Sequence, residues 1–223
     1  MSAGRYEYLD ATLKSIRERL NTDNINPYYI IHEDMTYEFN EHTLNKIKEK
    51  YKIDKLITTT HNLGAGGSIF NAWNNIDINY DYIWHHENDF IFNKDIKLKN
   101  IIKLLESSPV YLNQMALLRQ PVSSSEFSAG SIYNLKCYKF EEQTWIMDED
   151  NVSCIIHKNF WTANPSLYRK ELTTEQYIPA SNEVIISSVL KTKYPDRYFG
   201  YYGKLTDPPI VTHIGSYSIG NKI

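Results

Sequence analysis

The sequence predicts an α/β fold in a single domain, and three observations carry that expectation. Helix-period and strand-like segments alternate through the first half of the chain. A glycine cluster follows one expected strand and an acidic cluster follows another. The length, 223 residues, suits one domain, with or without a sizeable insertion. Alternation in that order implies right-handed βαβ units and a mainly parallel sheet flanked by helices. Such sheets bind ligands beyond the carboxyl ends of their strands.

Tyr6, Leu9, Leu13, Ile16 and Leu20 recur at spacings of three and four, which makes an amphipathic helix. Arg17 and Arg19 fall at its end, where cations suit the helix dipole. Pro27–Ile31 is β-prone and stops at His32-Glu33-Asp34. Glu41–Lys50 reads as a helix with Leu44, Ile47 and Tyr51 apolar. Lys55–Thr60 is a β-branched strand, followed by His61-Asn62-Leu63 and the cluster Gly64-Ala65-Gly66-Gly67; Ser68 then caps a helix to about Asn75. Tyr80–Trp84 is strand-like and runs into His85-His86-Glu87-Asn88-Asp89, and Leu98–Glu106 is a further helix. Beyond Val110 the pattern loosens. Tyr111–Leu118 reads as a strand, Pro121–Ile132 as a Ser-rich loop, and Phe140–Leu172 has no clear period. Glu183–Leu190 is helical and Ile210–Ile214 a last short strand. The second half is expected to form an irregular, aromatic-rich binding wall.

Composition narrows the function classes. A net charge of -3 argues against a protein that lives on nucleic-acid phosphates, which need clustered Lys and Arg. Cys137 and Cys154 are too few for a disulfide framework and match no zinc spacing. No apolar run approaches the ~20 residues of a membrane span, and MSAGRYEYLD lacks a signal-peptide core. The expectation is a cytoplasmic globular protein. Eighteen Tyr and four Trp fit flat ligands such as sugars or bases; they fit a Tyr-lined core rim or a biased genome equally.

Several residues could carry chemistry. Gly64–Gly67 allows close backbone approach at a helix N-terminus, which attracts anions, yet it matches neither a Walker A loop nor G-x-G-x-x-G, and a tight turn explains it as well. Glu87 and Asp89, two apart after a strand, are oxygen donors suited to Mg²⁺ or Mn²⁺; an acidic strand-end turn is the plain alternative. His85 and His86 with Asp89 offer a rival hydrolase-type metal site, although adjacent residues on a strand face opposite ways. His213 could complete a coordination shell or be structural. Glu183 is either a helix-capping acid or a base for a substrate hydroxyl.

Taken together, these segments resemble GT-A glycosyltransferases, the nucleotide-sugar-dependent transferases, over most of the chain. Arg5-Tyr6-Glu7-Tyr8-Leu9 with Thr12-Leu13-Lys14-Ser15-Ile16 is similar to the R-x-x-Y-L…T-L-x-S-L opening of family 2-like members. Asn62-Leu63-Gly64 with Gly67 and Asn71 resembles their donor-side N-x-G…N stretch, and Tyr82–Phe92 their strand ending in D-x-D, here Glu87-Asn88-Asp89. Arg119-Gln120-Pro121, Glu126 with Ala129-Gly130, Thr162–Tyr168, Ser181-Asn182-Glu183 and Val211-Thr212-His213-Ile214-Gly215 look like segments of phage and large-DNA-virus members.

The resemblance implies one GT-A-like domain with a nucleotide-sugar half at about 1–110 and an acceptor half at about 111–223. It implies donor contacts from Arg5, Asn62, Gly64, Gly67, Asn71 and Glu87. Mn²⁺ or Mg²⁺ would be held at Asp89, Glu87 and His213, with Glu183 as base for an inverting transfer. Trp161, Asn164, Tyr168 and Glu126 are the implied acceptor residues, and Trp84 a further stacking candidate. The donor is a nucleoside-diphosphate sugar, a UDP-sugar by default; the acceptor is a glycan, a protein or a modified DNA base. Met1–Gly4 leaves no room for the strand that usually opens this fold, so that strand is expected to be very short, or the chain to start inside the fold. The rivals are a carbohydrate- or nucleotide-binding module without turnover and a metal-dependent phosphoesterase using His85, His86 and Asp89.

Overall fold

The computed structural model describes residues 1–77, 79–108, 110–120, 122, 132, 141–147, 150–159, 161–174 and 183–215. Helix α1 (Tyr6–Arg19) is followed by β1 (Leu20–Asn21), β2 (Ile30–Glu33), α2 (Glu41–Tyr51), β3 (Lys55–Thr58), α3 (Gly64–Asn74), β4 (Tyr82–His85), β5 (Phe90–Phe92), β6 (Ile96–Lys97) and α4 (Leu98–Ser107). Then come β7 (Leu112–Leu117), β8 (Arg119–Gln120), β9 (Glu141–Met147), β10 (Asp150–His157), β11 (Ser166–Arg169), a 3-10 turn (Lys170–Thr174), α5 (Glu183–Lys193), β12 (Tyr198–Tyr202) and β13 (Val211–His213). No helix among the described residues is long and apolar enough to cross a membrane.

The main sheet has the order β4-β11-β7-β12-β10-β9, beside a three-stranded sheet β5-β13-β8 and the pairs β2-β3 and β1-β6. Pairing is mixed rather than mainly parallel. β2 and β3 are parallel, as are β7 and β12, but β11 enters antiparallel between β4 and β7, and β10 lies antiparallel to both β9 and β12. The cause is non-local: β11 and the β9–β10 hairpin come from the segment whose residues show no clear period, and they complete a sheet begun in the first half.

β7 is buried at all six positions, because neighbouring strands flank it and both its faces are covered. Its polar Gln114 is satisfied there: Nε2 donates to Thr162 O at 2.6 Å and Ser166 Oγ at 2.9 Å, and Oε1 accepts from Thr162 N at 3.1 Å. α4 packs Leu98, Ile101, Leu104 and Leu105 into the same core. α1 and α2 build a second cluster, in which Leu9 and Leu13 join Leu44, Ile47 and Tyr51. α3 opens at Gly64, earlier than the Ser68 start expected, and Ser68 is buried inside it. The expected opening strand is reduced to one parallel bridge, Ser2 to Glu33.

Among the described residues Cys154 is a buried free thiol; Cys137 lies outside them. His157 is buried on β10, stacked on Tyr201 at 5.6 Å, and burial pushes it down to about 3. An unfolded histidine titrates near ~6.5, so the contribution of His157 is complete above that value and is lost as pH falls through it. Between about pH 7.0 and 5.5 this amounts to about 1 kcal/mol. His157→Gln is therefore expected to shrink the acid-induced loss of unfolding free energy by that amount. Urea titrations at both pH values check this, and equal losses in the two proteins would contradict it.

Candidate active site

The turn after β4 carries Glu87-Asn88-Asp89, and sheet register brings the end of the chain to it. β13 lies antiparallel to β5 with His213 opposite Phe90. Ile214 N donates to Asp89 O at 2.8 Å, and the His213 ring stacks on Phe90 at 4.7 Å. His213 Nε2 then stands 3.2 Å from Asp89 Oδ2. From the other side, α1 is pinned to β5 by hydroxyls one helical turn apart. Thr12 Oγ1 donates to Asn88 O and Phe90 O at 2.9 and 3.0 Å, and Ser15 Oγ accepts from Phe92 N at 2.6 Å. That contact delivers Arg5, just ahead of α1, to the same turn. Its Nη2 donates to Asp89 Oδ2 at 2.8 Å and to Asn88 Oδ1 at 3.1 Å.

Burial works to raise the Asp89 carboxyl, but the bonds from His213 and Arg5 outweigh it and hold the group below its ordinary range. The carboxylate is therefore ionised in a water-poor setting. Glu87 is half-buried two residues earlier. Among the described residues no three His, Cys, Asp or Glu side chains converge to hold a metal ion. Neither the His85, His86 and Asp89 trio of the phosphoesterase reading nor the expected Asp89, Glu87 and His213 trio is thus assembled. His85 is buried against the Tyr168 ring, and burial lowers it to about 3; His86 stacks on Trp84 and Phe92, and burial lowers it to about 4. Asp89 and His213 do offer two adjacent donors, an oxygen and an imidazole nitrogen. Cations of the Mg²⁺ type are usually bound through one or two carboxylates, with substrate phosphates and waters completing the shell. The donor set fits that use.

A second node lies at the end of β2. Asp34 accepts from Leu63 N and Thr59 Oγ1 through Oδ1 at 2.9 and 3.0 Å, and from Gly64 N through Oδ2 at 3.1 Å. Asn62 Oδ1 also accepts from Gly64 N, at 2.9 Å. The glycine cluster is therefore tied to β2, and Gly64 takes a left-handed φ of 68°, which favours glycine. Gly67 is buried within α3, and Asn71 Nδ2 lies 2.9 Å from His32 Nε2. Glu33, wholly buried, accepts from Gly4 N at 2.7 Å and Tyr6 Oη at 3.3 Å. One connected set of contacts thus runs from α3 through the end of β2 to the start of α1 and on to Asp89.

The acceptor-side residues fall differently. Trp161 and Tyr168, expected as stacking platforms, are core residues at 1% and 0% exposure, packed edge-on against Trp73. Trp84 is half-buried, and Asn164 is half-buried beside Thr162. Glu183 opens α5 but its side chain lies outside the described ones, and Glu126 lies outside the described residues. Tyr168→Phe removes the 2.6 Å bond from Trp73 Nε1. It is expected to cost about 1 kcal/mol of stability with no change in any acceptor KM. A raised KM at unchanged stability would restore the platform role.

Four residues outside the expected set shape the site: Asn88, Glu33, Asp34 and Gly215. A Cβ on Gly215 would lie 2.2 Å from Asp89 Oδ2. The signal for Asn88 was present in the sequence as the middle residue of the acidic motif; Glu33 and Asp34 ended an expected strand, the usual place for ligand-side residues.

The fold that holds these residues is a GT-A-like α/β fold. Two crystal structures of S. aureus TarS are similar to it. The structure of TarS 1–349 matches with a TM-score of 0.56 at 12% identity, covering 95% of this chain and 59% of that one. The longer TarS structure matches with a TM-score of 0.56 at 11% identity, covering 97% of this chain and 36% of that one. The chain thus spans little more than half the length of the first and about a third of the second. No protein-family model matches the chain, and no curated protein sequence does.

Proposed function

We propose that the protein is a glycosyltransferase that moves a sugar from a nucleoside diphosphate to an acceptor hydroxyl. The observation that carries this reading is the meeting of Arg5, Asp89 and His213 beyond the carboxyl end of β4 in a GT-A-like fold. Ligands of open α/β sheets bind at such strand ends, and a diphosphate needs cationic or metal-bound charge beside it. Arg5 orients Asp89, which with His213 would hold Mn²⁺ or Mg²⁺, the His213 imidazole then giving up its bond to Asp89 in favour of the cation. When bound there, the cation supplies Lewis-acid stabilisation of the charge on the departing diphosphate.

The α3 end, with Asn62, Gly64, Gly67 and Asn71, is the proposed wall for the donor. Glu183 is the proposed base, taking the proton from the acceptor hydroxyl so that attack inverts the anomeric centre. A UDP-sugar is the first donor to try; glycan, protein and hydroxymethylated DNA are the acceptor classes to offer.

Calorimetric titration with nucleoside diphosphates and their sugars, with and without Mn²⁺, tests the donor site. Metal-dependent binding that prefers one nucleotide is expected. Absence of nucleotide binding at every metal concentration would overturn the reading. A chain that binds donor but transfers no sugar to water or to any acceptor class would instead be the binding module.

A further inference from the structure

We propose that the recess at the amino ends of β2, β3 and β4 binds a neutral carbohydrate, as a second ligand site remote from the candidate active site. The inference goes beyond sugar transfer and does not rest on it, because a binding module without turnover would keep the recess.

The position follows from the connections between elements. Tyr28 lies two residues ahead of β2, Lys55 opens β3, Asn74 ends α3 with Asn75 as its cap, and Tyr80 lies two residues ahead of β4. They meet around an open recess of about 410 Å³, which Asp77 also lines. That volume suits a small ring-shaped ligand. Asp34 and Asp89 stand past the other ends of β2 and β4. Each of these strands has four residues, so about 13 Å, at ~3.3 Å per residue, separates the two sites.

The walls are fixed by bonds of their own. Tyr28 and Tyr80 stack with ring centroids 5.8 Å apart and planes 30° apart. Tyr29 N donates to Asp54 Oδ2 at 2.7 Å, and Asp54 N and Lys55 N both donate to Tyr29 O, at 3.0 and 3.1 Å. The approach to β2 is thereby held against β3. Lys55 Nζ donates to Asn75 O at 2.9 Å, which ties the end of α3 to the same place. Asp77 Oδ1 accepts from Asn79 N and Nδ2 at 3.1 and 2.9 Å. Walls ordered in this way lose little freedom when a ligand binds.

The groups left over define the ligand. The Tyr28 side of the stack is 45% exposed, and tyrosine gives rigid, amphipathic contact area at low entropic cost. The exposed Asn74 amide has no hydrogen-bond partner among the described residues. Lys55 Nζ keeps two N–H donors beyond its bond to Asn75, and Asp77 Oδ2 keeps its acceptor capacity. An aromatic face ringed by both donors and acceptors suits a sugar, whose C–H face is apolar and whose hydroxyls donate and accept at once. Charge decides against a nucleotide, the other flat ligand. Lys55 is balanced by Asp77, and Asp54 adds a further negative charge beside it. Burial first, and then Tyr28, Asp77 and Asp54, raise the Tyr80 phenol above its ordinary range. Phosphates would meet that negative field, whereas a neutral sugar does not.

The test titrates the protein with neutral tetrasaccharides of glucose, mannose, galactose and N-acetylglucosamine, followed by amide and tyrosine-ring NMR shifts. At least one is expected to bind, with shifts centred on Tyr28, Asn74 and Asp77 and none at Arg5 or Asp89. Tyr28→Ala and Asn74→Ala, both at exposed positions, should each weaken binding at least about fivefold with an unchanged thermal midpoint, while Tyr28→Phe binds nearly as the parent does. Excess UDP with Mn²⁺ should leave the sugar in place. Displacement of the sugar by UDP would put it in the donor site and overturn the proposal. Tighter binding of uridine or adenosine than of every tetrasaccharide would assign the recess to a base and overturn it too. So would equal binding by the parent and both alanine variants, or no binding of any tetrasaccharide at millimolar concentration. None of these failures touches the nucleotide titration of the donor site, which stands or falls separately.

Discussion

Asp89→Asn is expected to abolish metal-dependent nucleotide binding, lower any transfer rate by at least ~100-fold, and lower stability by about 2–3 kcal/mol. Two separate effects combine. The carboxylate is the only anion bonded to both Arg5 and His213 in the described contacts, and its side chain is 7% exposed. Removing one partner of a buried pair costs ~3–5 kcal/mol because the other charge is left uncompensated. Arg5 keeps 19% of its side chain exposed, so water recovers part of that cost. The functional loss is larger, since the amide cannot serve as an anionic ligand and no longer anchors the guanidinium. Chemical denaturation reads the first effect, and calorimetry with Mn²⁺ and nucleotide reads the second. An Asp89→Asn protein that binds nucleotide like the parent would remove Asp89 from the donor site, whatever its stability.

The parts of this molecule legible in the sequence are those set by neighbours along the chain. The apolar spacings of α1 and α2 report burial of one helix face, and Leu9, Leu13, Ile16, Leu44, Ile47 and Tyr51 are among the residues the structure buries, while Tyr6 and Leu20 at the ends of the α1 pattern are half-buried. The start of α3 was not legible, because what holds Leu63 and Gly64 is Asp34, about thirty residues upstream. Nor was the mixed sheet, since nothing local in Ser166–Arg169 says that it will lie antiparallel between β4 and β7. The roles of Trp161 and Tyr168 went astray for a related reason. An aromatic in an aperiodic segment reads as a surface platform until Trp73, far off in sequence, is seen to pack against both. For the candidate site, the sequence marked Arg5, Asp89 and His213 separately by motif, while the bonds joining them span 84 and 124 residues.

Gly215→Ala is expected to lower activity by about 100-fold while leaving a folded protein. The residue's φ is not in the left-handed region, unlike those of Gly4, Gly64 and Gly203, so the demand for glycine here is one of space. An added Cβ would lie 2.2 Å from Asp89 Oδ2, 2.9 Å from its Cγ and 2.7 Å from Arg5 Nη1. Those atoms are not free ends that swing aside. Oδ2 is held by Arg5 and His213, and Arg5 is held in turn by Asn88. Ile214, next along the chain, is bonded to Asp89 O, so the backbone cannot easily retreat either. Relief therefore requires the Asp89–Arg5 pair to move by something near an ångström. A misplacement of that size costs about 100-fold in rate where geometry is limiting. Overpacking costs stability about 1–3 kcal/mol, within what a domain tolerates. Comparing turnover with thermal midpoint separates the two, because a purely structural glycine would lose stability and keep turnover per folded molecule. Near-parent turnover in the alanine variant would mean that the Arg5–Asp89–His213 cluster holds the fold together and that the donor binds elsewhere.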